Sequence, residues 1–197
     1  MDLTIAKTQD PALIHALTQA AFAEYDREPG TSTALKETEE AIAAQLAGGM
    51  EALVVANLSP SNLSPQPPPP GAHSSLGKGE PEGDVAPFPV RYERPGEGLG
   101  RGYLACVRYQ LEGDALYFHR LCVHPDYRRQ GLAKKLVRHL EALARAEGLT
   151  RLTCSVRLQK TDNVALYTGL GFRLLGERSV CRDGTAVPTG DFEKRLI

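Results

Sequence analysis

Apolar side chains fall along this chain either in short alternating runs, which predict strands, or at helical spacing, which predicts helices with one buried face. Leu3 to Lys7 alternates as a short strand. Asp10 and Pro11 then make a helix start, an N-cap followed by the residue favoured at the first helical position, and Leu13, Ile14, Leu17, Ala21 and Tyr25 share one face. A second helix is predicted from Ser32 or Thr33, burying Leu35, Ile42 and Leu46 and stopping at Gly48 and Gly49. Strands follow at Glu51 to Leu58 (EALVVANL), 101–111 (RGYLACVRYQL) and 115–124, the last two joined by a turn at Glu112, Gly113 and Asp114. The helix from Leu132 to Glu147 carries Leu136, Val137, Leu140, Leu143 and Ala144 on its apolar face and ends at Gly148. Leu149 to Arg157 (LTRLTCSVR) reads as a strand parallel to the one before the helix, if that helix is a crossover. A short helix from Asn163 to about Gly169, with Asp162 as its cap, precedes strands at 172–181 and 186–196 joined through Asp183-Gly184, a strong hairpin signal. This order predicts an α/β chain of the α+β type, with a mixed, mostly antiparallel sheet and helices on both faces.

Residues 59–97 break the pattern, turning to proline, glycine and serine and including Pro67 to Pro70. Too few large apolar side chains remain there to offset the entropy of ordering, so the segment reads as a disordered insertion between two hairpin strands of one domain. Lengthening a hairpin connection from about four to about 38 residues costs only about 2 kcal/mol, because closure entropy grows with the logarithm of length. A tolerated surface excursion is the simpler account, with a polyproline II docking segment as the functional alternative.

At 197 residues and 42% hydrophobic, the chain can bury one good core. A formal net charge of −1 argues against nucleic acid or an anionic membrane as the main partner. Cys106, Cys122, Cys154 and Cys181 show no CxxC or Cys/His ligand spacing, so neither zinc nor a disulfide framework is indicated. The first residues (MDLTIAKTQD) carry no basic segment followed by an apolar run, and no stretch reaches the roughly 18 apolar residues of a membrane span. The expectation is a soluble, cytoplasmic protein.

The most informative stretch runs from the strand ending at Val123-His124-Pro125 through Arg128, Arg129, Gln130, Gly131, Leu132 and Ala133 into the amphipathic helix. Backbone N–H groups in a first helical turn lack intrahelical partners, and the helix dipole favours an anion there. Gly131 and Ala133 leave room for phosphate oxygens to reach those amides, and Arg128 and Arg129 add charge-assisted donors. Taken alone, the pattern is equally a turn before an ordinary surface helix. Downstream, however, stand Asn163, Ala165, Leu166, Tyr167, Leu170, Gly171 and Phe172 (NVALYTGLGF). Together the two segments resemble the signature of the GNAT superfamily of acetyl-CoA-dependent N-acetyltransferases, closely over about the last hundred residues. One spacing departs from the commonest family pattern: Asn163 lies four residues before Tyr167 instead of about seven.

The resemblance implies acetyl-CoA as co-substrate and direct attack of a primary amine on the bound thioester in a ternary complex. It assigns Leu121, Cys122 and Val123 to the strand whose backbone holds the pantetheine arm, and residues 128–133 to the diphosphate. Cys122 is otherwise a small packing residue. Tyr167 is the candidate general acid, a phenol that stays protonated at neutral pH and can donate to a departing thiolate. Asn163 either bonds the pantetheine arm or caps its helix. A lysine amine is neutral in about one molecule in 2,500 at pH 7, a handicap of about 4.6 kcal/mol, against about 1 for an α-amine. A lysine-like acceptor would need a base: His119 and Glu24 are the candidates, with a water relay as the alternative. The acceptor, a small-molecule or peptide amine, stays open, as does a homodimer. Two other readings are an acetyl-CoA sensor without turnover and, from Arg128, Arg129, Lys134, Lys135 and Arg138, a helix seated on nucleic acid phosphates, which the charge balance disfavours.

Overall fold

A computed structural model describes residues 3–26, 30, 32–57 and 102–196. The expected insertion at 59–97 and the outer strand ends at Leu58 and Arg101 lie outside the described residues. Among these residues, seven strands form one sheet: β1 (Leu3–Thr8), β2 (Glu51–Asn57), β3 (Tyr103–Glu112), β4 (Ala115–Val123), β5 (Arg151–Arg157), β6 (Arg173–Arg182) and β7 (Thr185–Arg195). Their order is β1-β2-β3-β4-β5-β7-β6, and the β4–β5 pair is parallel while the others are antiparallel. The mixed, mostly antiparallel sheet predicted from the order of elements is therefore present.

Helices cover both faces because β2 is apolar on both sides. Ala52 and Val54 pack with Leu13, Ile14 and Leu17 of α1 (Pro11–Phe22) and with Ile42 and Leu46 of α2 (Glu39–Ala47). Leu53 and Val55 point the other way, into a core with Leu136, Val137, Leu140 and Ala144 of α3 (Leu132–Ala146) and Tyr167 of α4 (Thr161–Gly169). Alternation with period two thus assigns neighbours to opposite layers. Asp10 caps α1 as expected, its carboxylate accepting from the Leu13 amide at 3.0 Å. At the β6–β7 turn, Asp183 (φ 49°) and Gly184 (φ 75°) both take the left-handed conformation that a two-residue hairpin turn demands.

Two predicted boundaries are corrected. The helix expected from Ser32 or Thr33 is broken: a 3-10 turn spans Thr33–Lys36, the backbone extends through Glu37 and Thr38, and α2 starts only at Glu39. The Thr38 hydroxyl caps it by accepting from the Ala41 amide, and Glu39 and Glu40 suit the positive end of the dipole. Leu35 is half-buried, and Ala34 takes the buried place in that turn. In α4, Lys160 occupies the cap position with no side-chain cap, and Asp162 lies inside the first turn.

Candidate active site

Strands β4 and β5 pair through Ala115↔Arg151, Leu116↔Leu152 and Tyr117↔Thr153, and no further. Beyond Tyr117 they splay, which leaves the β5-facing backbone edge of β4 without a strand partner among the described residues, while its other edge stays paired to β3 at Cys122 and Val123. A bulge helps the strand diverge: the β3 register shifts between Cys106 and Arg108, and Arg120 opposite adopts φ 52°. The Cys122 thiol is buried against Cys106 and packs with helix α1, and Cys122 also borders the opening.

The chain then passes through a 3-10 turn at Pro125–Tyr127 into the loop before α3. Arg129 (φ 60°) and Gly131 (φ 79°) are left-handed, and Gly131 is the N-cap of α3, with no side-chain cap on the first-turn amides. A Cβ built on Gly131 would meet nothing within 4 Å, so the space above those amides is open. Such a concave run of N–H groups at a helix start suits an anion. Arg129, Gln130, Lys134, Lys135 and Arg138 are exposed around it. Arg128 is committed elsewhere: it pairs with Glu24 at 2.9 Å and donates to the Ala21 carbonyl at 2.8 Å, tying the loop to the end of α1.

A cavity of about 1070 Å³ runs from this loop along the free edge of β4 to α4, bordered by Leu121, Val123, Gly131, Ala133, Asn163 and Tyr167. A smaller one, about 300 Å³, lies beyond it, and Tyr167, Asn163, Leu121 and Tyr25 border both. Tyr167 is buried with its ring against Phe118 and Phe172. Burial above all, helped by Cys154 and Tyr25, pushes its phenol well above the ordinary tyrosine range. Asn163 sits in the first turn of α4 rather than at its cap, and its amide donates to the Tyr25 hydroxyl at 3.3 Å. The capping alternative for Asn163 therefore falls.

The acetyltransferase (GNAT) family matches residues 80–172, from within the region preceding β3 through the loop, α3, β5 and α4 to Phe172. The solved structure of the ribosomal-protein-S18-alanine N-acetyltransferase of Escherichia coli has the same fold over 98% of this chain and 94% of that one, with a TM-score of 0.62 at 18% identity. Over residues 80–172 the chain is similar to the GNAT family. In sequence, the ribosomal protein bS18 alanine N-acetyltransferase of Escherichia coli K12 is 37% identical over 63 residues, 32% of this chain and 43% of that protein. The match thus spans less than half the length of that relative. An acetyltransferase structure from Salmonella typhimurium, described with its cofactor acetyl-CoA, aligns over 100% of this chain and 95% of its own with a TM-score of 0.57 at 15% identity.

The smaller cavity holds features that sequence reasoning missed. Arg120, Arg157, Lys160, Arg178 and Arg182 all border it, and Tyr25 lies beneath Lys160 (4.3 Å) and Arg157 (5.6 Å) as a cation–π platform. Only Arg178 and Arg182, four residues apart on one face of β6, carried a local signal. Behind them Arg108, fully buried, donates to Gln45 at 2.6 Å and to Glu37 at 2.5 Å. Glu37 also receives Arg120; burial opposes its ionisation, but the two guanidinium groups win and hold it below the ordinary carboxylate range.

His119 borders this cavity with its ring stacked on Tyr117 and its Nε2 3.1 Å from the Met50 sulfur. Burial first, then the charges of Arg108 and Arg120, push its pKa down to about 3. Between the ordinary 6.5 and about 3, the unfolded chain takes a proton that the folded ring refuses. The stability this neutral ring confers is full above 6.5 and is lost as pH falls towards 3. Denaturant midpoints should therefore drop between about pH 7 and about pH 5 in the wild type, and drop less in His119→Gln. Equal drops would mean that other groups set the acid limit.

Proposed function

We propose that this chain is a cytoplasmic N-acetyltransferase that moves an acetyl group from acetyl-CoA to a primary amine within a ternary complex. The observation that carries the reading is Tyr167, a phenol kept protonated by burial where the two cavities meet. The larger cavity fits the coenzyme, with its open amide cradle at Gly131 and the unpaired edge of β4 for the pantetheine amides; the smaller fits the amine. Acetyl-CoA supplies the activated carbonyl. The amine nitrogen attacks that carbon, the C–S bond breaks with its electron pair going to sulfur, and Tyr167 gives the sulfur its proton. Leu121, Cys122 and Val123 act through their backbone, Asn163 bonds the arm near the thioester, and the amides from Arg129 to Ala133 hold the diphosphate.

The amine's own proton leaves by water in this account. His119, with a pKa near 3, is a weak acceptor, and the Glu24 carboxylate is held by Arg128. A base matters less here because cations around the smaller cavity disfavour a bound ammonium and lower its pKa. An acceptor of the α-amine type, needing about 1 kcal/mol at neutral pH, then suffices. Acetyl-CoA with a panel of small amines, α-amino peptides and lysine side chains, followed by release of free CoA thiol, tests the proposal. Amine-dependent thiol release above the hydrolysis background is the expected result. Tight acetyl-CoA binding with no such release for any amine would instead mark a coenzyme sensor.

A further inference from the structure

The smaller cavity carries more positive charge than transfer to a plain amine requires. It gathers Arg120 from the β4 bulge, Arg157 from the end of β5, Lys160 before α4, and Arg178 and Arg182 from one face of β6. Glu37 takes Arg120 through both oxygens at 3.2 Å, and Asp191 takes Arg178 at 3.0 and 3.2 Å. Arg182 is placed differently. Its Nη1 donates to the neutral Thr33 hydroxyl at 3.0 Å, and its Nε is buried with no hydrogen-bond partner among the described residues. Burial, then the nearby charges of Arg157, Arg120 and Arg178, lower its pKa. A buried donor on a charged group is costly when left unpaired, and a planar carboxylate matches the guanidinium fork.

We propose that the acceptor amine carries a carboxylate, and that Arg182, with Arg157 and Arg178 beside it, holds that carboxylate while the amine faces Tyr167. This rests on the acetyltransferase reading and names its substrate class. The cavity, about 300 Å³, takes an amino acid or the first residue of a peptide. The carboxylate thereby fixes the amine's orientation, and the arginines select against amines that bring a second positive charge.

Two pairs of acceptors matched in size test it: a peptide amide beginning with Glu against one beginning with Gln, and β-alanine against its amide. The expected result is a kcat/KM at least about tenfold higher for the acid in one pair, which also separates a side-chain source from a free amino acid. In Arg182→Met that ratio should collapse to about one, and in Arg182→Glu it should fall below one. Coenzyme affinity, measured by calorimetry, reports that both variants are folded. A ratio near one in both pairs for the wild type, or a preference that survives Arg182→Met, overturns the proposal and leaves the acetyltransferase reading standing. If no amine is acetylated although acetyl-CoA binds, both fail.

Discussion

Gly131→Val should weaken coenzyme A binding at least about a hundredfold while the protein remains folded. At φ 79° the residue sits where an L side chain is strained, by roughly 1–2 kcal/mol, and a β-branched one is the worst choice. That strain should lower the melting temperature by only about 2–8 °C in a chain of this size. Beyond its own chain neighbours, no atom of the described residues lies within 4 Å of the new Cβ, so the fold itself meets no clash. The coenzyme does, because the side chain would stand in the cradle above the first-turn amides of α3. Losing two charge-assisted hydrogen bonds, each worth about 1.5–3 kcal/mol, converts to a loss of a hundredfold or more. Calorimetric titration with coenzyme A, beside circular dichroism, separates binding from folding. Wild-type affinity in folded Gly131→Val would remove the cradle from the account.

Tyr167→Phe should lower kcat about a hundredfold and leave acetyl-CoA affinity unchanged. The substitution keeps the ring, and with it the packing against Phe118 and Phe172, and removes only the hydroxyl. Its effect should therefore appear in the chemical step, read by single turnover of acetyl-CoA with saturating amine. Because burial raises the phenol's pKa well above 10, the wild-type rate should show no decline from loss of this acid up to about pH 9.5. Full single-turnover activity in Tyr167→Phe would take the proton-donor role away from it.

The pattern of local residues foretold the parts of this fold that are governed locally. Leu136, Val137, Leu140 and Ala144 repeat on one face of α3, Gly131 stands at its start, and Asp183-Gly184 turns the last hairpin, so those elements could be read directly. The broken helix near residue 37 could not. Glu37 reads as a helix former, and what extends the backbone there is its engagement by Arg108 and Arg120, 71 and 83 residues away. Arg128 illustrates the same limit at the site: beside a phosphate-type loop it looks like a phosphate ligand, yet it is anchored to Glu24 and Ala21. The arginine-lined cavity was hidden for a related reason. Its members come from β4, β5 and β6, and Arg120 reaches it through a bulge with positive φ at a residue that gives no local sign of one.

The central claim is that amides at the start of α3 hold a coenzyme diphosphate and so set the acetyl group beside Tyr167. A crystal structure of the protein with acetyl-CoA tests this most directly. The diphosphate is predicted within about 3.2 Å of backbone nitrogens between Arg129 and Ala133, with the thioester in the split between β4 and β5 next to the Tyr167 hydroxyl. A coenzyme bound away from that loop, or one whose thioester lies remote from Tyr167, would contradict the account.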